Sequence, residues 1–192
     1  MNIKYEVQFH TDWHCGSGLA AGADVDALVV KDKDGLPFVP GKTMKGLVRE
    51  AMEDMMSLRD ITLKDDSPFV KAFGFFDDKE EKERGNVFFA NAELPDAERK
   101  VIVANHAARF MYRSISSTAI DDEGIAVDHS LRKMEVVVPC RLEGKIIGVE
   151  DCDLANEILN ALQYIKRLGQ NRNRGLGRCT ITGTIIEEGG EK

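Results

Sequence analysis

No apolar run in this sequence of 192 residues approaches the roughly 20 that a membrane-spanning helix requires. The opening MNIKYEVQFH alternates apolar and polar residues and offers no continuous apolar signal region, so the protein is expected in the cytoplasm with no membrane partner. Paired cysteines are also missing. Cys15, Cys140, Cys152 and Cys179 are scattered without any C-x-x-C, which suggests neither a disulfide framework nor a structural zinc site and fits the same reducing compartment. His10, His14 and Cys15 lie close together, but a second cluster to complete four-coordination is lacking and His129 stands alone. Positive charge is in deficit as well, with 26 Lys and Arg against 33 Asp and Glu. A net charge of -7 excludes a protein that coats itself indiscriminately with nucleic acid, because bulk attraction to phosphate is unfavourable.

What is present suits one globular domain spanning 1–192, with 43% hydrophobic and 31% charged residues. The charge is segregated. Lys166, Arg167, Arg172, Arg174 and Arg178 form a run with no acidic residue from 166 to 178, and Lys42, Lys45 and Arg49 make a second basic cluster. The acidic excess sits elsewhere, notably in DDKEEKE at 77–83, which reads as a solvated loop.

Hydrophobic periodicity predicts the elements. Ile3 to His10 alternates as a half-buried strand, the glycine-rich stretch 16–22 breaks it, and Val25 to Lys31 reads as a second short strand. From Thr43, Met44, Leu47, Val48, Ala51, Met52 and Met55 recur on one helical face, and the methionines are read as core filler. Ser67-Pro68 starts a short helix that Gly74 ends. Val87 to Ala92 and Lys100 to Ala104 read as strands, whereas Asn105 to Ser130 shows no sustained period, and a loop that long is usually functional. Glu135 to Val138 and Lys145 to Val149 suggest a hairpin turning at Glu143-Gly144, with Pro139 at an edge. Asp151 or Asp153 caps a helix with Leu154, Ile158, Ala161, Leu162, Ile165 and Leu168 on its apolar face, stopped by Gly169, and Cys179 to Ile186 is the last strand. The longest elements run strand, helix, strand, strand, helix, strand, so the expected fold is α+β, with a ferredoxin-like (RRM-like) βαββαβ core, a long insertion at 105–130 and glycine-rich loops.

Two glycine motifs invite nucleotide-binding readings that their spacing does not support. In GLPFVPGKT (35–43) five residues separate the glycines where a Walker A has four, so no NTPase follows. GSGLAA (16–21) fits the loose dinucleotide fingerprint, yet a strand pattern follows where a helix is required. The start of the first helix, with Gly41, Lys42, Thr43 and Lys45, remains suited to holding one phosphate. RGLGR (174–178) is either a solvated turn or a loop whose backbone approaches a ligand while its arginines bind phosphate.

In order along the chain, WHCGSG (13–18), PFVPGKTMKGLVR (37–49), AFGF (72–75), GNVFFANAE (85–93) and RGLGR (174–178) resemble the CRISPR-associated RAMP superfamily. TAIDD (118–122), Gly124, Ala126, Leu131, Arg132 and EVVVP (135–139) resemble the thumb of its type III backbone subunits. That resemblance implies a subunit that carries guide CRISPR RNA and cuts the paired, complementary target RNA at regular intervals. It assembles with copies of itself or paralogous RAMP subunits, beside the large polymerase-like and small subunits of a type III complex.

The resemblance also assigns residues. VDALVVKD (25–32) matches the run carrying the cleavage aspartate, which makes Asp26 the catalytic candidate and Asp24 its neighbour under a one-residue slip. The implied chemistry is metal-dependent attack of a ribose 2′-hydroxyl on the adjacent phosphate, with a divalent ion such as magnesium. Guide contacts fall on His14, Gly16, Ser17, Gly18, Lys42, Thr43, Lys45, Arg49, Arg113, Arg172, Asn173, Arg174, Gly175, Gly177 and Arg178. Phe110, Met111, Tyr112, Arg113 and Ile120 are candidates for a wedge that unstacks RNA bases. Two alternatives stay in the same superfamily: a subunit that only binds or caps the guide, and a guide-processing endoribonuclease using His14. A small nucleotide-binding enzyme is a third, disfavoured by both glycine spacings.

Overall fold

A computed structural model describes residues 1–20, 25–60, 67–74 and 85–186. Asp24 and the acidic run 77–83 lie outside the described residues.

Strand β1 (Asn2–Phe9) buries Ile3, Tyr5, Val7 and Phe9 and turns Lys4, Glu6 and Gln8 outward, as its alternation requires. It is central in an antiparallel four-stranded sheet of order β2-β5-β1-β6, flanked by β5 (Arg141–Ile147) and β6 (Cys179–Ile186), with β2 (Phe88–Phe89) outside β5. Helix α1 (Gly41–Leu58) buries Met44, Val48, Ala51 and Met52, and α4 (Cys152–Tyr164) buries Leu154, Ala155, Ile158, Ala161 and Leu162, all in one core cluster with the inner sheet face. Asp151 caps α4 by accepting the Leu154 N–H at 2.8 Å. The short helix α2 (Pro68–Phe73) starts at Ser67, whose hydroxyl accepts from Val70 N–H, and ends at Gly74 with φ +85°. The chain is thus mixed α/β with antiparallel sheets.

Four local expectations are corrected. Lys100 to Ala104 belongs to helix α3 (Asp96–Ala104), not a strand: Pro95 and two acids in the first turn start a helix whose residues are none of them buried. Among the described residues Val25 to Lys31 forms isolated bridges and no ladder, because its partners there are three different segments. Of Val87 to Ala92, only Phe88 and Phe89 pair as strand. Glu143-Gly144 is no turn. Strand β5 runs straight through it, and Gly144 is there because a Cβ would meet the Tyr5 ring at 2.3 Å.

The partner of Glu135 to Val138 is correspondingly different. After a 3-10 turn at Ala108–Met111, β3 (Tyr112–Ser117) pairs antiparallel with β4 (Arg132–Val137), from Tyr112↔Val137 to Ser117↔Arg132. The segment expected to be an aperiodic loop is therefore largely a hairpin, and it extends past 130 to include β4. Only its root is anchored: Val136 and Val137 are buried, and Trp13 and Val137 exchange backbone hydrogen bonds at 3.0 and 2.8 Å.

Candidate nucleic-acid interface and cleavage loop

Residues 25–31 cross the root of the hairpin and are held there from two sides. On one side lies the 15–19 segment: Val30 N–H donates to Cys15 O at 2.8 Å, Ser17 N–H and hydroxyl both reach Leu28 O, and Leu28 N–H donates to Leu19 O. On the other side is β4. Asp26 N–H donates to Lys133 O at 2.9 Å, and Lys133 N–H returns a bond to Asp26 Oδ2 at 2.7 Å. Asp26 is exposed, and among the described residues nothing donates to its second carboxylate oxygen. Further along, Asp32 is drawn in two directions: burial raises its pKa, but the Leu36 N–H, the Arg99 guanidinium and the Asp34 N–H outweigh burial and hold it below 3.8. Arg99 of α3 pairs with Asp32 at 2.5 Å and with Asp34, which fixes the turn at Gly35.

The glycine-rich loop wraps the same region. Gly177 (φ +69°) donates to Asp12 O at 2.7 Å, and a Cβ on it would sit 1.9 Å from Leu168 O. Gly169 (φ +94°) packs against the His14 carbonyl, which Gln170 N–H reaches at 2.9 Å. These two glycines therefore serve close backbone packing, while Gly175 at the tip faces open space. Beside it Arg174 is exposed and Arg178 carries its side chain outward. Arg172 is tied to Glu50 of α1 at 3.4 Å and its carbonyl accepts from Arg167. Between α1 and this loop lies a cleft of about 640 Å³, lined by Leu47, Glu50, Tyr164, Lys166 and Asn173 among others.

Several predicted contact residues are placed as internal ties. His14 is wholly buried: its ring donates from Nδ1 to Glu135 O at 2.6 Å, and Nε2 lies beside Gly16 without a partner among the described residues. Arg113 forms an ion pair with the buried carboxylate of Asp12. Tyr112 donates its hydroxyl to Gly35 O at 2.7 Å with Lys31 Nζ 4.1 Å above its ring, and Met111 packs against the core, so both lie at the root of the hairpin. Phe110 and Ile120 are exposed, at 68% and 66%.

At the start of α1 the expected phosphate cradle is partly occupied. Gly41 N–H donates to Asn91 Oδ1 at 3.0 Å and Thr43 N–H to Pro40 O, while a Cβ at Gly41 would meet Phe89 O at 2.0 Å. Lys45 donates to Val87 O at 3.0 Å, and burial, helped by Arg49, lowers its pKa. Arg49 pairs with Glu53. Lys42 alone of this cluster is exposed, on a cleft of about 870 Å³ bounded by Phe88, Asn91, Pro95 and Lys145. Among the described residues no three His, Cys, Asp or Glu side chains are grouped so as to hold a metal ion, and no helix is long and apolar enough to cross a membrane.

The family model of the RAMP superfamily matches residues 6–180. The chain belongs to the RAMP superfamily. No curated protein matches it. Among solved structures, this RAMP chain is similar to one from the cryo-EM structure of the type III-B Cmr-beta bound to cognate target RNA: TM-score 0.70, 11% identity, covering 95% of this chain and 97% of that one. A chain from the apo state of the type III-B Cmr-beta gives a TM-score of 0.67 at 12% identity, with 96% and 97% covered. At such identities the likeness is one of fold.

The sequence of this RAMP chain does not single out Lys133, and it presents Glu135 only as the start of a strand and of the thumb-like EVVVP, whereas in the fold both meet residues 26–31. The alternation of 132–137 was the available signal; what it could not reveal was that its neighbours come from 26–31 and 112–117, far away in sequence.

Proposed function

We propose that this chain is a backbone subunit of a type III CRISPR effector in the cytoplasm, binding guide RNA and cleaving the complementary target RNA. The observation that carries the proposal is Asp26: an exposed carboxylate with one oxygen anchored to β4 and the other open, on a loop between the 14–18 segment and the hairpin root. Support for the fold comes from the sheet order β2-β5-β1-β6 with α1 and α4 as crossovers, which is the arrangement of a ferredoxin-like βαββαβ core in one RAMP domain. Guide phosphates meet Lys42, Arg174 and Arg178, cations exposed on an otherwise acidic protein. Phe110 and Ile120 are left to contact bases.

In the cleavage step the 2′-hydroxyl oxygen forms a bond to the adjacent phosphorus while the bond to the 5′-oxygen breaks. This leaves a 2′,3′-cyclic phosphate and a 5′-hydroxyl, with the 2′ proton lost to base and a proton gained by the leaving oxygen. Asp26 supplies a hard oxygen donor, and magnesium is commonly held by one or two carboxylates together with substrate phosphates, so the residues fit such an ion. When bound, it would neutralise charge developing on the phosphate. Asp26 orients, and RNA distorted into line supplies much of the rate.

The processing-endonuclease reading loses support because His14 is buried with Nδ1 committed to Glu135 O. A subunit that only binds or caps the guide is the second reading, favoured by the Lys133 N–H bond to Asp26 Oδ2, which gives that carboxylate a structural use. Assembled complexes with guide RNA and divalent metal should cut labelled complementary RNA at regular intervals, one per backbone subunit. Asp26→Ala should abolish this without weakening guide or target binding, since an anionic side chain near phosphate adds no ground-state affinity. Asp24→Ala is the matched control. Full activity of Asp26→Ala would move catalysis elsewhere, and no cleavage by the native protein under varied metals would leave a scaffold.

A further inference from the structure

Strand β4 carries a residue, the first of the thumb-like EVVVP, to which no role was assigned. The side chain of Glu135 is 14% exposed, and its bonds converge on the stretch just after Asp26. Oε2 accepts the Val29 N–H at 3.0 Å and Oε1 accepts from Lys31 Nζ at 2.8 Å. Its peptide N–H donates to Ala27 O at 3.0 Å, and its carbonyl accepts from the buried His14 ring at 2.6 Å. A single residue thus joins the cleavage loop, the hairpin and the 14–18 segment.

The loop needs such a fastening. Residues 25–31 have no continuous ladder, only isolated bridges such as Ala27↔Met134 and Gly16↔Val29, and a segment held that way opens locally at low cost. Among the described residues Asp26 itself has two bonds, both to the main chain of Lys133 on β4. The bonds from Cys15, Ser17 and Leu19 hold the far side of the loop, and the Glu135 side chain adds two ties on the β4 side, directly after Asp26.

We propose that Glu135 is a positioning residue for the Asp26 carboxylate, clamping residues 27–31 onto β4 so that the hairpin strand sets the carboxylate's orientation. This rests on Asp26 being the cleavage residue. The clamp is ionic and directional: Val29 and Lys31 occupy different oxygens of one carboxylate, which an amide can reproduce only in part. Because the ties run to β4, whose outer half lies beyond the core, any displacement of the hairpin carries Asp26 with it. Cleavage is therefore coupled to correct seating of the hairpin on RNA, and binding is not.

Single-turnover cleavage of labelled complementary RNA by assembled, guide-loaded complexes in magnesium tests this, with hydrogen exchange of residues 25–31 read on the same complexes. Glu135→Ala should slow cleavage by about 100-fold, the scale of a displacement near 1 Å, at unchanged target affinity and unchanged cut positions. Glu135→Gln keeps an acceptor for Val29 but loses the Lys31 charge pairing, and should slow it by about 10-fold. Exchange in 25–31 should quicken in the same order while amides of β1 and β5 stay protected. Glu143→Gln, which removes an ion pair to Lys4 on the sheet face, should behave as the native protein. Cleavage at full rate by both Glu135 variants beside an inactive Asp26→Ala overturns the positioning role and leaves the cleavage assignment standing. Faster exchange throughout the sheet overturns it too, as a general loss of stability. Native cleavage by Asp26→Ala removes the assignment itself and the proposal with it.

Discussion

The four-stranded sheet and the β3–β4 hairpin use similar side chains to opposite ends. Ile3, Ile146 and Ile181 are fully buried, whereas Ile120, Ile125 and Leu131 on the hairpin are 66%, 60% and 62% exposed. Strand β1 buries every second residue; on β3 only Tyr112 and Ile115 are even half-buried. The difference lies in the second layer. The sheet has α1 and α4 against its inner face, while among the described residues no second layer covers the outer hairpin, and a two-stranded ribbon alone is at best marginally stable in water. Aliphatic side chains that gain nothing from the protein's own core are available to RNA bases or to a neighbouring subunit.

Removing the hairpin tip, residues 119–129, is the strongest test of that contrast. Regular spacing of target cuts should be lost, whereas the melting temperature of the isolated chain should stay within a degree or two, since no residue of the tip is buried. A large fall in melting temperature would show the two regions to be one cooperative unit.

A matched pair of substitutions sharpens the same point. Ile146→Ala should cost about 2–5 kcal/mol in denaturant unfolding, from lost burial and the cavity left behind. Ile125→Ala should stay within about 0.5 kcal/mol. Equal costs would mean that the tip packs on something in the free chain.

Smaller effects are expected among the basic residues. Arg174→Ala should weaken guide loading by about 1.5–3 kcal/mol if its contact to phosphate is desolvated, with stability unchanged, and affinity should fall steeply with salt. Lys45→Ala should instead lower stability, because that ammonium is committed to Val87 O. RNA content of purified assemblies and thermal melting separate the two outcomes.

The smallest effect concerns acid stability. The carboxyl of Asp32 is held below 3.8 in the folded chain, so its contribution is present above that value and is lost as pH falls through the lowered folded pKa. Asp32→Asn should flatten that part of the acid melting profile. An unchanged profile would show that Arg99 and the Leu36 N–H do not stabilise the turn.

Sequence by itself determined the elements whose signal is local. Alternation in 3–9, the apolar stripe of α1, the Ser67-Pro68 start, the Asp151 cap and the last strand are written in neighbouring residues, and so are the motifs that the RAMP family model matches over 6–180. Tertiary structure decided what depends on partners far along the chain. Gly144 reads as a turn until Tyr5 is seen against it, and 135–138 reads as half of a hairpin with 145–149 until β3 takes its place. His14, Lys45 and Arg113 read as contacts because charge and motif are visible in sequence, but burial and pairing are not: Glu135 O, Val87 O and Asp12 claim them in the fold. Glu135 reads only as the start of a strand and of the thumb-like EVVVP for the same reason, since each loop atom it holds lies about a hundred residues away and only folding brings them within hydrogen-bond reach.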